Sequence, residues 1–261
     1  MKRFLTLILI SGLLSGCASN APRPASAQSD PQITLTVFAA ASLTEAFGEM
    51  KTSFEAANPN VDVALNFAGS NTLRAQIELG AQADVFASAN QKEMEKLTNI
   101  GLVNVDKKTD FLSNNLVVIT PQNNPASLSS FEELSRPGLK LVLAAEEVPA
   151  GQYARQVLDN AGPDFKTQVL ANVVSNESTV KQVVAKVQLG EADAGIVYES
   201  DAVSAPELQV IEIPAEWNVL AVYPIAPLVH APHPEFADAF IDFVLSPEGR
   251  AILKKWGFSS P

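Results

Sequence analysis

Little in this chain is suited to redox, metal or nucleic-acid chemistry. It has one cysteine, Cys17, so no internal disulfide can form and no set of thiolate ligands can assemble. Its two histidines, His230 and His233, stand in Val-His-Ala-Pro-His-Pro, which reads as a solvated turn and not as a metal clamp. The three tyrosines, Tyr153, Tyr198 and Tyr223, are scattered, which disfavours the neighbouring phenolates of a hard-cation site. Tyr153 reads as packing, and Trp217 and Trp256 as core or lobe-edge aromatics. No Gly-x-Ser-x-Gly elbow surrounds any serine, and the only histidines able to act as a base sit in that one turn. A serine hydrolase is therefore the weakest reading. Basic residues are few, 18 Lys plus Arg against 29 Asp plus Glu, and nucleic acid is excluded as a partner on that balance.

The apolar run Phe4 to Leu14 is too short to span a bilayer, and no other run, Val219 to Val229 with its prolines at 224 and 227 included, reaches that length. Lys2 and Arg3 precede the run that starts at Phe4, and Leu14-Ser15-Gly16-Cys17 closes it. Residues 1–17 thus read as a signal peptide whose end resembles the bacterial lipobox, with cleavage before Cys17 and lipid on its sulfur. Residues 18–31, rich in Ala, Ser, Pro, Asn and Gln, read as a flexible tether from a membrane surface. Without Lys2 and Arg3, 16 basic residues face 29 acidic ones, a balance of −13. The body from residue 32 onward is long enough for two modest domains.

Along that body, strands alternate with helices. Ile33 to Phe38 alternates Ile, Leu and Val with Thr, as a strand does. Three alanines and Ser42 follow, and then Leu43, Ala46, Phe47 and Met50 repeat at helical spacing. Ser42 stands where an N-cap belongs, with Glu45 three residues on as its capping-box partner. Val61 to Phe67 repeats the pattern and leads through Ala68-Gly69-Ser70-Asn71-Thr72 into a second helix, which Ser70 or Thr72 could cap. Further strands are expected at Ala83–Ala89, Leu116–Thr120, Leu139–Ala145, Asn172–Ser175, Ala192–Tyr198 and Leu208–Ile213. Helices are expected from Asn90 to Leu97, from Pro149 to Asn160, around Val180–Val187, and over Pro234–Leu245 and Pro247–Trp256, with one turn at Phe131–Leu134. The alternation predicts a parallel α/β architecture. No free linker interrupts the body, so a two-lobed chain would cross between lobes on ordered strands, near Phe111–Leu116 and near Val219–Pro224.

Four places share one logic. Ser42, Ser70, the Pro149-Ala150-Gly151 turn and the Ser178–Val180 turn each open a helix after a strand. Each can offer N–H groups that no helical carbonyl accepts, and the helix dipole favours an anion there. Open α/β sheets bind ligands at this edge. Tyr198, ending a strand, can add a phenolic donor. Such a site has donors and no fixed positive charge. It suits an oxyanion that is fully ionised at neutral pH, since a ligand still carrying a proton would need an acceptor. Glu146, Glu147 and Glu177 are close in sequence and read as solvated.

Phe38-Ala39-Ala40-Ala41-Ser42-Leu43-Thr44, Ala83-Asp84-Val85-Phe86, Val148-Pro149-Ala150-Gly151 with Tyr153-Ala154, Gly195-Ile196-Val197-Tyr198 with Ser200-Asp201-Ala202, and the tail Trp256-Gly257-Phe258 occur in order. Together they resemble the periplasmic molybdate-binding proteins of ABC transporters, the ModA family, here in lipoprotein form, over about Ile33 to Phe258. The resemblance implies a type II periplasmic-binding-protein fold, with two α/β lobes joined by two crossing strands around a ligand cleft. It implies lobe 1 at 32–113 and 222–261 and lobe 2 at 114–221. It carries the oxyanion contacts onto Ser42, Ser70, Ala150, Val180 and Tyr198: hydroxyl and backbone donors from the serines, backbone N–H groups from Ala150 and Val180, and the hydroxyl of Tyr198. Molybdate or tungstate is then the ligand, with molybdenum held as oxyanion, no free metal cation and no cofactor. A monomer, anchored through lipid on Cys17 at the outer face of the cytoplasmic membrane, would pass the anion to a membrane permease. Sulfate is the alternative, being another divalent tetrahedral oxyanion. Two departures stand out. Gly69 and Asn71 replace hydroxyl residues beside Ser70, and the longer chain between Ala150 and Val180 lets Thr179 or Lys181 stand in Val180's place.

Overall fold

A computed structural model describes residues 32–261; the signal peptide, Cys17 and the tether read from the sequence lie outside the described residues. Two five-stranded sheets organise the body. The first has the order β2-β1-β3-β10-β4 and the second β7-β6-β8-β5-β9. β1 (Ile33–Ala40) pairs in parallel with β2 (Val61–Ala68) and with β3 (Val85–Ala87). β10 (Ala221–Pro227) then runs antiparallel to β3 and to β4 (Thr109–Asn114). In the second sheet β6 (Leu141–Ala144) is parallel to β7 (Val173–Glu177) and β8 (Ala194–Tyr198). β5 (Leu116–Thr120) is antiparallel to β8 and to β9 (Gln209–Glu212).

The sheets are therefore mixed, which corrects the expectation of a parallel architecture. The reason is the crossing. The chain leaves the first sheet after Asn114 and enters the second at Leu116, then returns after Glu212 to reach Ala221. A strand that arrives from the other sheet enters from the opposite end and pairs antiparallel with its neighbours. Ala221 pairs with Asn114, so the two crossing segments lie side by side.

Helices cover the sheets by burying one stripe each. α1 (Thr44–Ala57) turns Ala46, Phe47, Met50 and Phe54 inward. Phe47 packs against Phe111 and Phe240, with ring centroids 6.1 and 5.9 Å apart, and truncating it to Ala costs roughly 3–5 kcal/mol. α2 (Ser70–Glu78) and α3 (Gln91–Asn99) flank the same sheet; Asn90 caps α3, its side chain accepting from the Glu93 N–H. α8 (Pro234–Leu245) and α9 (Pro247–Lys255) complete that side. On the second sheet α4 (Pro149–Ala161) ends at Gly162, whose φ of 112° favours glycine, and α5 (Pro163–Ala171) starts at once. α6 (Val180–Gln188) is amphipathic through Val180, Val183, Val184 and Val187, and α7 (Glu199–Val203) follows β8 directly. α5 and α7 go beyond the elements expected from the sequence. The Gly162-Pro163 break hides the first and the five-residue length hides the second.

Candidate functional site

The carboxyl ends of β1 and β2 face those of β6, β7 and β8 across a cleft. Ala40, Ala41, Ser42, Ala68, Gly69, Ser70 and Ala89 line it from one side, and Val148, Pro149, Ala150, Val180 and Tyr198 from the other. All five residues expected to contact a ligand are thus brought together, three helix starts and a 3-10 turn among them. The cavity is small, ≈ 10 Å³, about what one water needs. The lobes stand closed over it. A larger hollow of ≈ 440 Å³ between Phe111, Pro247, Arg250, Lys254 and Phe258 lies elsewhere and gathers no helix starts.

Each wall owes its donors to a local sequence feature. Ser42 does not cap α1, which corrects the capping-box expectation. A 3-10 turn, Ala41–Leu43, intervenes, the helix begins at Thr44, and Leu43 stands at the N-cap without a side-chain bond. The Thr44 hydroxyl donates to Ala41 O, and Glu45 turns to Lys181. Ser42 Oγ is freed for the hydroxyl of Tyr223, 3.0 Å away. Neither Ser70 nor Thr72 caps α2. Gly69 is the N-cap residue, and Ser70 Oγ accepts from the Ala89 N–H at 2.9 Å. In α4 Pro149 has no N–H, and Gln152 is the residue whose N–H reaches Val148 O, which leaves Ala150 and Gly151 to point outward. Gly151 is required there: a Cβ would lie 2.0 Å from Ala145 O and 2.4 Å from Ala144 O. In α6 Thr179 is the N-cap and shares a capping box with Gln182, so Val180 opens the helix on the cleft wall. Lys181 points to Glu45 and Asp201 instead.

Of the departures, Gly69 acquires a physical account: a Cβ on it would stand 2.6 Å from Asn71 Oδ1 and 2.9 Å from Ser178 O on the opposite wall, so the closed cleft has little room for a side chain at that position. Asn90 Nδ2 also reaches across, at 3.4 Å from Gln152 Oε1.

Burial sets the electrostatics. Ser42, Ser70 and Tyr198 are 3%, 1% and 1% exposed. The Tyr198 hydroxyl has no hydrogen-bond partner among the described residues. Burial, with Tyr223 and Tyr153 as neighbours, holds its acidity well below that of an ordinary phenol, so it keeps its proton and can only gain by donating it. Burial likewise pushes Tyr153 up to about 12 against the pull of a backbone hydrogen bond at Val222, and raises Tyr223. The three tyrosines are not scattered in space. Tyr198 lies 6.4 Å from Tyr153 and 5.7 Å from Tyr223, ring to ring and edge-on. Held protonated, they differ from the phenolates a hard cation would bind, and no metal-holding group of His, Cys, Asp and Glu occurs among the described residues. His233 is used structurally: its N–H donates to Asp84 Oδ1, while Asp84 Oδ2 accepts from Thr36 N–H.

One positive charge, Lys181, follows Val180 in α6, but it is not among the residues that line the cleft. Lys181 Nζ lies 2.7 Å from Glu45 Oε2 on the other lobe and 3.1 Å from the fully buried Asp201. Two carboxylates against one ammonium leave no net positive charge for a ligand. Burial disfavours the Lys181 charge, but Asp201 and Glu45 outweigh it and raise its affinity for the proton. Burial also raises Asp201, with Lys181 pulling the other way. Of the nearby acids, Glu146 and Glu147 are exposed, whereas Glu177 is ion-paired at 2.6 Å with Lys186 and is not the solvated residue expected. The contacts of Tyr223 with Ser42 and of Lys181 with Glu45 carry no sequence signal, because each is made only where the two sheets meet.

Two sheets joined by two crossing segments, with ligand-facing donors at the junction, define a periplasmic-binding-protein architecture. The model of the bacterial extracellular solute-binding proteins matches residues 35–259. The molybdate-binding protein ModA of Mycobacterium tuberculosis H37Rv is 39% identical over 98% of this chain and 96% of that protein. The Azotobacter vinelandii periplasmic molybdate-binding protein superposes with a TM-score of 0.77 at 23% identity, covering 87% of this chain and 99% of that one. The sulfate-binding protein of Mycobacterium tuberculosis H37Rv superposes at 0.81 with 17% identity over 88% and 87%, a likeness of fold alone. The chain belongs to the bacterial extracellular solute-binding proteins and, among them, to the family of the molybdate-binding proteins. Membership gives it a solute-binding role outside the cytoplasm.

Proposed function

We propose that this protein captures molybdate, and tungstate equally, in the cleft between its lobes and delivers the anion to the permease of an ABC importer. The observation that carries this reading is the convergence of donors from both lobes on one cavity. Ser42, Ser70, Ala150 and Val180 bring hydroxyl and N–H groups from both lobes to one cavity, and the buried Tyr198 hydroxyl has its proton to give. A fully deprotonated tetrahedral anion satisfies every one of them; neutral dipoles at helix starts replace its hydration shell. The names of the relatives supply the metal. Lobe 1 is built on the first sheet, which holds Asn114 and Ala221 and so extends the expected bounds of 32–113 and 222–261 by one residue each; lobe 2 is built on the second, and the two close as bodies on the crossing segments.

The role is capture and not catalysis. Ser42 has a protonated phenol beside it, not a base, and so is not activated as a nucleophile. We assign Cys17 as the lipid attachment point, residues 18–31 as the tether, the outer face of the cytoplasmic membrane as the site of action, and a monomer as the working form. No cofactor enters this scheme. Calorimetric titration of the purified protein with molybdate, tungstate, sulfate and phosphate tests the ligand. Tight binding of the first two and silence of the others is the expected result. Equal binding of sulfate would transfer the reading to sulfate, and no heat from any of them would overturn it.

A further inference from the structure

We propose that Glu45 is a positioning residue: through Lys181 it holds the start of α6 against the start of α1 once the lobes have closed, and so sets how slowly a bound oxyanion leaves. This rests on the oxyanion reading above and deepens it. Glu45 stands in the first turn of α1, just beyond Ser42, and Lys181 follows Val180 in α6. Their bond, 2.7 Å from Nζ to Oε2, joins the two segments that bring Ser42 and Val180 to the cleft. α6 also packs against the 3-10 turn that contains Ser42. Neither Glu45 nor Lys181 lines the cavity. Every other ion pair among the described residues stays within one lobe, so this one alone is made by closing.

An ion pair near the surface is commonly worth little, because two long side chains must be stilled to make it. Here one of them is already held. Lys181 Nζ lies 3.1 Å from Asp201 Oδ1 and 3.1 Å from Ser204 Oγ, both in its own lobe, and only 25% of its side chain is exposed. Asp201 is fully buried, so that anchor does not move with solvent. When the lobes part, Lys181 keeps these two partners and Glu45 alone is lost. The Glu45 carboxylate makes no other hydrogen bond among the described residues, so no contact inside lobe 1 depends on it. The ammonium is thus preorganised on one lobe and meets its second carboxylate only when the cleft shuts. Such a contact is absent when the anion arrives and must be broken before the anion leaves. It acts on release and not on entry.

The test compares the parent with Glu45→Gln and, as control, Glu49→Gln. Glu49 lies one turn further along α1 and pairs at 2.8 Å with Lys255 of α9, within lobe 1. Thermal melts first establish that all three proteins fold. Each is then loaded with radiolabelled sodium molybdate and chased with excess unlabelled molybdate, and association is followed separately by stopped flow. Glu45→Gln should release molybdate about three- to tenfold faster, while its association rate changes by less than about twofold. Raising sodium chloride from about 0.05 to 0.5 M should speed release from the parent more than from Glu45→Gln, because screening acts on a pair the variant lacks. Glu49→Gln should release at the rate of the parent. Release from Glu45→Gln at the parent's rate, or equal acceleration in Glu49→Gln, would overturn the inference while leaving the oxyanion reading in place. A parent that binds no molybdate overturns that reading and this inference together.

Discussion

At the scale of single residues, the cleft separates groups that hold a ligand from groups that make closure possible. Ser42→Ala removes a hydroxyl bond to a charged ligand, roughly 1.5–3 kcal/mol, and should weaken molybdate binding by about ten- to a hundredfold by calorimetry; it should also lower the melting temperature of the free protein, because the buried Tyr223 hydroxyl loses its partner. Tyr198→Phe differs in kind. The hydroxyl it removes is buried without a partner among the described residues, so the ligand-free variant should melt no lower than the parent, while molybdate affinity falls. Gly69→Ala adds no polar change, yet its Cβ would press on Ser178 O across the cleft. Every anion that binds the parent should lose affinity in parallel, and solution scattering with ligand present should report a larger radius of gyration than the liganded parent. These residues were unequally legible. Ser42, Ser70, Ala150 and Val180 announce themselves because a strand, a run of small residues and a helix leave unpaired N–H groups in a local pattern. Gly69 looked like a departure from its relatives, since the carbonyl it avoids is more than a hundred residues away.

The elements were read more successfully than their ends and directions. α1, β5, α8 and α9 carry long periodic patterns with Asn, Gly or Pro at their limits, and the structure has them where the pattern does. The capping of α1 by Ser42 failed because a 3-10 turn shifts the helix start by two residues, which hydrophobic spacing does not report. Strand direction in β5 and β10 failed because it depends on which lobe the chain has come from. The same long-range geometry joins α1 to α6 and α7 through Glu45, Lys181 and Asp201. Lys181→Met removes the cation paired with the buried Asp201, and should destabilise the protein by about 3–5 kcal/mol at neutral pH. The pH dependence distinguishes this from lost packing. Asp201 in the folded state holds its proton more tightly than an unfolded aspartate, so the stability linked to it is present below the ordinary aspartate value and lost as pH rises through the raised one. Without Lys181 that shift grows. The variant should therefore recover part of its deficit as pH falls from 7 toward 4, which melting temperatures across that range would detect.

At the scale of the whole molecule, acidity and anion uptake appear opposed, since 16 basic residues face 29 acidic ones once Lys2 and Arg3 are set aside. The opposition is one of rate. A net negative field repels an approaching divalent anion over a Debye length of about 10 Å at 0.1 M salt, and the field is screened beyond it. Stopped-flow association of molybdate should therefore accelerate with added sodium chloride; a rate that falls with salt would point to a basic entrance the structure does not suggest. The paired crossing segments, Asn114 beside Ala221, carry a further consequence. A single connection would let one lobe swivel, slide and tilt against the other. Two connections laid side by side act as the two knuckles of a door hinge, and leave opening as the one easy motion. A permease then needs to sense only one angle to distinguish a loaded carrier from an empty one.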